Sequence, residues 1–218
     1  MFKKRAFILA LGLAVMGFFG ASAWADDDVN TVDADHDHVE HFKIYGGPAY
    51  VAPMSDDTIT FGTVEDTVEN QQHVGWNLGF EGRFNKLLGI EIDYVNASED
   101  VDFGGSTIGD TTFSPLTATL NFHVVPTEHF DLYLGPSYSY VNWGDIHLNA
   151  SGEGIAGGST IGTDSAHGWG ASLGMDIGWE HVQFYAGLKY LAVDLELADG
   201  TSIENKPLVG RLGVAFKF

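Results

Sequence analysis

Apolar side chains alternate with polar or small ones from residue 42 to the end of the chain, and this period of two constrains the fold most strongly. Successive side chains of an extended backbone point to opposite faces, so the alternation predicts β-strands. Eight candidate strands fit the pattern, at about residues 41 to 52, 73 to 85, 87 to 97, 113 to 125, 129 to 142, 166 to 179, 181 to 194 and 207 to 218.

The connections between these strands alternate strictly between short and long. Short joints fall near residues 85–86, 126–128 and 180, whereas the segments 53 to 72, 98 to 112, 143 to 165 and 195 to 206 are long and rich in Gly, Asp, Ser and Thr. This rhythm is typical of antiparallel up-and-down transmembrane barrels. The sequence therefore predicts an all-β, eight-stranded barrel with short periplasmic turns and four longer extracellular loops.

One face of the predicted strands is heavily apolar, and its direction decides whether the barrel is soluble or embedded in lipid. A soluble barrel of the lipocalin type would turn this face inward. The interior of eight strands cannot accept three or four large residues from every strand, so the apolar face is expected to point outward. An outward apolar face must contact lipid, since a contiguous apolar girdle exposed to water would cause aggregation. This face comprises Val74, Trp76, Leu78, Phe80, Leu88, Ile90, Ile92, Tyr94, Leu116, Ala118, Leu120, Phe122, Leu132, Leu134, Tyr138, Trp169, Leu173, Met175, Ile177, Phe184, Leu188 and Tyr190.

Aromatic residues in the sequence collect at the ends of the predicted strands. Tyr and Trp rings favour the two membrane interfaces, so one belt at each rim is expected of a spanning barrel. The belt at the periplasmic ends comprises Phe42, Phe84, Phe122, Phe130, Trp179, Phe184, Phe216 and Phe218, and the belt at the loop ends comprises Tyr50, Trp76, Tyr94, Tyr138, Tyr140, Trp169 and Tyr190.

The N-terminus has the pattern of an export signal. Three basic residues at positions 3–5 precede an apolar run that ends near residue 19, and Ala23-Trp24-Ala25 supplies the small residues of a cleavage site. The run is shorter than the roughly 18 to 20 apolar residues of a membrane-spanning helix, which argues against an anchor. We predict a cleaved signal peptide over residues 1–25, an acidic His-rich extension over 26–40 and a barrel over 41–218.

Composition argues against a nucleic-acid-binding protein and against a disulfide-bonded one. The formal net charge of −20 repels phosphate backbones and argues against nucleic-acid binding. The chain has no cysteine, so the fold contains no disulfide bond.

With the apolar face outward, several charged residues fall on inward positions of a narrow lumen. Buried charges are tolerated only when they are paired and hydrogen-bonded, so we expect a salt-bridged plug. The alternative is a gate or ion path. The predicted network comprises Glu81, Arg83, Glu91, Asp93, Lys189 and Arg211, with the three bases meeting the three carboxylates.

Two acidic regions are candidates for binding divalent cations. His36, His38 and His41 lie among carboxylates, and imidazole with carboxylate suits zinc, copper or nickel. The segments 53 to 72, 98 to 112 and 143 to 165 contain acids but no Lys or Arg, so the external surface is expected to be negative. The alternative for the His-rich segment is a solvated acidic tail without a ligand, and the alternative for the acidic loops is a rim that keeps the protein soluble. No resident cofactor is expected.

Nucleophiles near a base are few. Ser165 with His167, and His123 with Ser114 or Thr119, are close in sequence or in the predicted strands but belong to no catalytic motif. The sequence therefore predicts a protein that is not an enzyme.

Three stretches resemble a known superfamily. The last eight residues, with Gly213, Phe216 and Phe218, resemble the C-terminal insertion signal of bacterial outer-membrane barrels. The stretches Gly-Ile-Glu-Ile-Asp-Tyr from Gly89 and Leu-Tyr-Leu-Gly-Pro-Ser-Tyr-Ser-Tyr from Leu132 resemble the small barrels that include outer-membrane protein W, outer-membrane protein X and opacity-type proteins.

The resemblance implies a porin-like surface protein in the outer membrane of a Gram-negative bacterium. Its partners would be outer-membrane lipids and, during biogenesis, periplasmic chaperones and the barrel assembly machinery, and the protein would be a monomer. Members of the superfamily serve as structural proteins, adhesins or narrow channels. We expect a structural or surface-interacting barrel with a plugged lumen; the alternatives are a narrow channel for small or hydrophobic solutes and an envelope lipid-modifying enzyme.

Overall fold

The structure is a computed structural model of the full chain. It describes residues 42–52, 54, 57–61, 64–70, 73–103, 106–127, 129–179, 181–198, 200, 202–203 and 206–218. The predicted signal peptide and His-rich extension lie outside the described residues.

Eight long antiparallel strands form a closed barrel. They are β1 (Phe42–Ala52), β2 (His73–Asn85), β3 (Leu88–Phe103), β4 (Ser106–His123), β5 (Phe130–Trp143), β6 (Ala166–Gly178), β7 (Val182–Ala192) and β8 (Leu208–Lys217). Each strand pairs with the next, and β1 also pairs with β8, where Lys43 lies opposite Lys217 and Val51 opposite Val209. The up-and-down barrel predicted from the period-two pattern is confirmed.

The sequence predicted a long loop over residues 98 to 112, between β3 and β4. The structure instead has a β-hairpin there. Both strands continue well beyond the predicted ends at residues 97 and 113, and Asp100 pairs with Asp110. The prediction failed because acids and glycines dominate the composition there. Val101 nevertheless keeps the inward alternation and is buried, and Ile108, which lies where the β3–β4 register shifts, is buried as well.

Smaller elements lie in the other long connections. Strands Asp57–Phe61 and Val64–Asn70 form a hairpin, whose second strand pairs with the end of β3. Helix α1 (Ala150–Ala156) begins after Asn149, whose side chain accepts hydrogen bonds from the backbone N–H groups of Ser151 and Gly152. The remaining short strands are Ile146–Leu148, Thr160–Ile161, Thr163–Asp164, Leu195–Leu197 and Ser202–Ile203.

Among the described residues, no helix has the length and apolar character needed to cross a bilayer.

The two faces of the barrel wall differ as the sequence predicts. Outward Trp169 is 69% exposed and Phe184 is 62% exposed, whereas inward Glu91 and Asp131 are fully buried. Every member of the predicted apolar face is exposed or only partly buried. The outward direction of that face is therefore confirmed.

The barrel interior has two layers. The layer towards the external loops is apolar and includes Val51, Val95, Phe113, Val141 and Leu191, each at most 2% exposed. The layer towards the periplasmic turns is polar and includes nearly all the buried charges. Both layers are filled by side chains of the wall itself, as the small radius of eight strands requires.

Glycines in the wall make room for the tyrosines of the polar layer. A Cβ at residue 174 would lie 2.3 Å from the ring of Tyr133, and one at residue 79 would lie 2.1 Å from the ring of Tyr45. These separations are far below a van der Waals contact, so each tyrosine packs directly on a glycine backbone.

We expect the substitution Gly174→Ala to lower the free energy of unfolding by about 1 to 3 kcal/mol, because the new methyl group forces the Tyr133 ring out of its place. The measurement is the thermal unfolding midpoint of the detergent-solubilised barrel by circular dichroism. The matched control is Gly154→Ala in α1, where nothing lies within 4 Å of the new Cβ. Equal midpoints for the two variants would contradict the packing role of Gly174.

Candidate functional site

The polar layer contains two groups of ion pairs that cross the lumen. In the first, Lys189 on β7 and Arg211 on β8 reach the opposite wall, where Glu91 and Asp93 lie on β3. Lys189 Nζ lies 3.1 Å and Arg211 Nη1 lies 3.0 Å from Glu91 Oε1. Arg211 Nη1 lies 3.2 Å from Asp93 Oδ2, and Lys189 also contacts Asp93. All four side chains are at most 2% exposed, so this group links the two walls through the barrel interior.

The second group lies nearer the periplasmic turns and centres on Lys43 of β1. Its Nζ lies 2.6 Å from Glu81 Oε2 on the neighbouring strand β2 and 2.8 Å from Asp176 Oδ2 on β6 across the lumen. Arg83 of β2 pairs with Asp131 of β5, and its Nε lies 4.0 Å from Glu81 Oε1. These contacts join the first half of the barrel to the second.

His123, at the end of β4, uses both ring nitrogens. Nε2 lies 2.7 Å from Glu81 Oε1, and Nδ1 lies 3.0 Å from both carboxylate oxygens of Asp131. A neutral imidazole has only one N–H, so donating to both carboxylates requires the doubly protonated ring. His123 thereby bridges two carboxylates of β2 and β5.

Tyrosine hydroxyls tie the charged groups to the wall. Arg211 Nη1 donates to the Tyr45 hydroxyl at 2.9 Å, and the Tyr133 hydroxyl donates to Asp176 Oδ1 at 3.3 Å. The Lys43 ammonium lies 4.4 Å from the centroid of the Tyr133 ring, within cation–π range. Tyr185 donates a further hydrogen bond to Asn77 across the lumen. The layer is consequently a connected network of charges and hydroxyls.

The residues predicted for the lumen network all lie on inward positions, but their partners differ in part. The structure brings Glu91 and Asp93 together with Lys189 and Arg211, as the sequence implied. Arg83 instead has Asp131 as its main partner. The prediction did not include Lys43, Asp176 or His123 in the pairing, although their alternation put them inside, because alternation gives a face and not the partner across the lumen.

The remaining candidates were predicted as a metal site, an assembly signal and nucleophile–base pairs. His36, His38 and His41 lie outside the described residues, and within the described ranges no three His or acidic side chains converge as a metal site. Gly213 lies on an inward position of β8 next to β1, whereas Phe216 and Phe218 are 49% and 67% exposed on the outer face. The Ser114 hydroxyl accepts a hydrogen bond from Asn96, and both ring nitrogens of His123 face carboxylates. Ser114 and His123 therefore do not form a nucleophile–base pair.

Solved structures of small membrane barrels are similar to this chain. The outer membrane protein OprG from Pseudomonas aeruginosa matches with a TM-score of 0.72 and 22% identity, covering 82% of this chain and 96% of its own. The outer membrane protein AlkL in lipid bilayers matches with a TM-score of 0.57 and 13% identity, covering 88% and 96%. Neisserial surface protein A matches with a TM-score of 0.54 and 17% identity, covering 81% and 97%.

The chain has the fold of a small outer-membrane β-barrel. This is the fold that the sequence predicts. No family model and no curated protein matches the sequence. At these identities the likeness establishes the fold, and the role of this outer-membrane barrel must be argued from its own residues.

The ion-paired layer is buried inside the barrel. Its charges are buried beside oppositely charged partners, and the apolar layer lies between it and the external loops. A water-filled pore would leave lumen side chains exposed, yet Glu81, Glu91 and Asp176 are fully buried. These side chains are therefore packed against one another in the interior.

We expect Glu91→Gln to lower the free energy of unfolding by about 3 to 5 kcal/mol, because Lys189 and Arg211 would then share only Asp93 in a buried site. The measurement is the unfolding midpoint in detergent, together with the heat-dependent shift in gel mobility. Asp110→Asn on the exposed end of β4 is the matched control, and loss of an exposed charge should change stability by less than about 0.5 kcal/mol. A Glu91→Gln midpoint equal to that of the control would show that the cross-link does not hold the barrel together.

Proposed function

We propose that the protein is a non-enzymatic outer-membrane barrel with a plugged lumen, which acts as a structural or surface-interacting protein. The observation that carries this proposal is the burial of the ion-paired layer across the whole width of the lumen. A barrel closed in this way has its external loops and its lipid-facing wall as the surfaces available to partners.

The external surface supports an interaction with cationic partners. Exposed carboxylates lie on the β3–β4 hairpin and on the connection after β5, and they include Asp100, Asp110, Asp145, Glu153 and Asp164. The segments that contain them carry no Lys or Arg, so their field is uniformly negative. Basic proteins, or divalent cations that bridge to lipid phosphates, fit this field.

The geometry of the last strand, β8, bears on how the barrel is assembled. Phe216 and Phe218 extend the outward aromatic face to the end of the chain, and Gly213 lets β8 approach β1 closely: a Cβ there would lie 2.1 Å from the carbonyl oxygen of Gly46. We propose that this terminal strand is the segment that periplasmic chaperones and the barrel assembly machinery recognise, and that the mature protein is a monomer.

Conductance tests the plugged lumen. Purified protein reconstituted in a planar bilayer is expected to give no steady current above that of the bare membrane, because the buried ion pairs leave no continuous aqueous path. A general porin in the same bilayer is the positive control. Steady channels of the wild type that vanish in Glu91→Gln or Arg83→Gln would contradict the proposal and establish an ion path through the polar layer.

A second candidate function, binding of small hydrophobic solutes for passage, is favoured by one feature of the outer wall. An apolar groove of about 530 Å³ crosses β1, β8, β7 and β6. Outward Tyr50, Leu188 and Leu212 line it, Gly210 leaves space on β8, and Gly187 and Arg211 from inward positions also contribute to its lining. Such a groove would accept a solute dissolved in the lipid rather than in water.

The substitution Gly210→Leu tests this second function. A Cβ at residue 210 would meet its neighbours only at 3.8 Å, so a larger side chain is tolerated and fills the groove. If the groove binds solutes, the variant should fold with an unchanged midpoint and lose most of its binding of an environment-sensitive hydrophobic dye in nanodiscs. Leu173→Met, which keeps the groove open, is the control. Equal dye binding by both variants and the wild type would exclude the groove as a site.

A further inference from the structure

Strand β3 changes its neighbour where it leaves the barrel wall. Its described pairing with β2 ends at Ala97, and its pairing with the strand Val64–Asn70 begins at Val101. In the described register, residues 98–100 therefore have a ladder partner only on the β4 side. This break separates the wall part of β3 from the end of the β3–β4 hairpin, residues 98–103 and 106–112, named here the external hairpin.

The side chain of His73 bridges the break. His73 is the first residue of β2, and its Nε2 accepts a hydrogen bond from the backbone N–H of Asp100 at 2.9 Å. The imidazole takes the place of a strand carbonyl, because a backbone N–H needs an acceptor and the neighbouring strand does not supply one in the described register. His73 is partly buried and lies opposite the apolar Val51 of β1.

The charged groups that face the ring are acidic. The carboxylates of Asp100 and Asp102 on β3 interact electrostatically with the imidazole. In the register of the neighbouring strands, Asp110 of β4 lies opposite Asp100, and Glu69 lies opposite Asp102. Asp100 and Asp110 are both exposed, and like charges directly opposite each other in a sheet are destabilising. The backbone hydrogen bonds, including the one to His73, must hold the external hairpin here.

We propose that His73 is a pH-sensitive latch for the external hairpin. A ring nitrogen accepts a hydrogen bond only while it carries no proton. Protonation of Nε2 sets an N–H against the N–H of Asp100, so this hydrogen bond breaks and the new cation turns to the neighbouring carboxylates. The latch is closed with the neutral ring and opens as the pH falls through the titration range of histidine, which is about pH 6.5 for an unperturbed side chain.

Opening of the latch is a local event. The external hairpin stays joined to the wall through β3 and β4, where Ser98 lies opposite Thr112. The ion-paired layer lies towards the periplasmic turns, at the other end of the lumen. The latch therefore changes the external surface that a partner would meet and leaves the interior as it is. A plugged lumen and the latch can fail independently, because conductance reports on the first and the external hairpin on the second.

Hydrogen exchange at the Asp100 amide tests the latch in the mature protein in nanodiscs. The protection factor of this amide, which corrects for the intrinsic effect of pH, should fall about twofold to tenfold between about pH 7.5 and about pH 5, because one hydrogen bond is lost. The amide of Ile92, in the wall part of β3, is the internal reference and should keep its protection. An unchanged protection factor at Asp100 would overturn the proposal.

Two substitutions separate the acceptor from its titration. His73→Gln keeps an acceptor that does not titrate, so the pH dependence at Asp100 should vanish. His73→Phe removes the acceptor and should give the low protection at both pH values. The matched control is His167→Gln, since the exposed His167 ring packs on Tyr138 and Tyr140 of the outer wall. Wild-type pH dependence in His73→Phe, or its loss in His167→Gln, would refute the assignment to His73.

The imidazole of the wild type gives a readout that needs no variant. The ¹⁵N chemical shifts of the His73 ring should show a proton on Nδ1 and none on Nε2 at neutral pH. In acid both nitrogens should be protonated, and this change should coincide with the loss of protection at Asp100. A ring with its proton on Nε2 at neutral pH could not accept from Asp100 and would contradict the latch.

Spin labels report whether the external hairpin moves. The chain has no cysteine, so Ser106→Cys gives a single labelling site at the exposed tip of β4. The mobility of this label should increase in acid, and the increase should be absent in the background of His73→Gln. A label at Ala192→Cys on β7 is the control and should be insensitive to pH. Equal mobility of the Ser106→Cys label at both pH values would show that the hydrogen bond does not hold the external hairpin.

Discussion

Pairing of opposite charges inside the barrel is the interaction on which the rest of this structure depends. An isolated buried charge is destabilising by many kcal/mol, and the polar layer holds several acids and bases away from water. Each therefore needs an opposite charge beside it, and several of these partners come from the far wall: Lys43 reaches Asp176 on β6, and Arg211 reaches Glu91 on β3. The outward apolar face can be immersed in lipid because the charges of the same strands are matched inside.

Much of the architecture follows from local sequence pattern. Strand positions, the outward face and the closure of eight strands were predicted, since period-two alternation and the volume of a narrow barrel are both readable from sequence. Where composition hid the alternation, prediction failed. Asp100 and Asp110 are typical of a loop, yet they pair with each other, and the buried Val101 keeps the strand period.

The interior could be predicted only in part, and the reason is geometric. Alternation identifies which side chains enter the lumen, but the partner of each depends on shear and stagger around the whole barrel. Arg83 meets Asp131 three strands away, and the two carboxylates bridged by His123 come from β2 and β5.

The long sequence separation of the lumen contacts affects how the barrel can form. Lys43 and Asp176 are 133 positions apart, and Tyr45 and Arg211 are 166 positions apart. Formation of such non-local contacts is slow, because the chain between them must be brought into place first. A nascent sheet lacking its terminal strand would carry Glu91 without Arg211, so the fully neutralised core is reached only as the last segment joins the first.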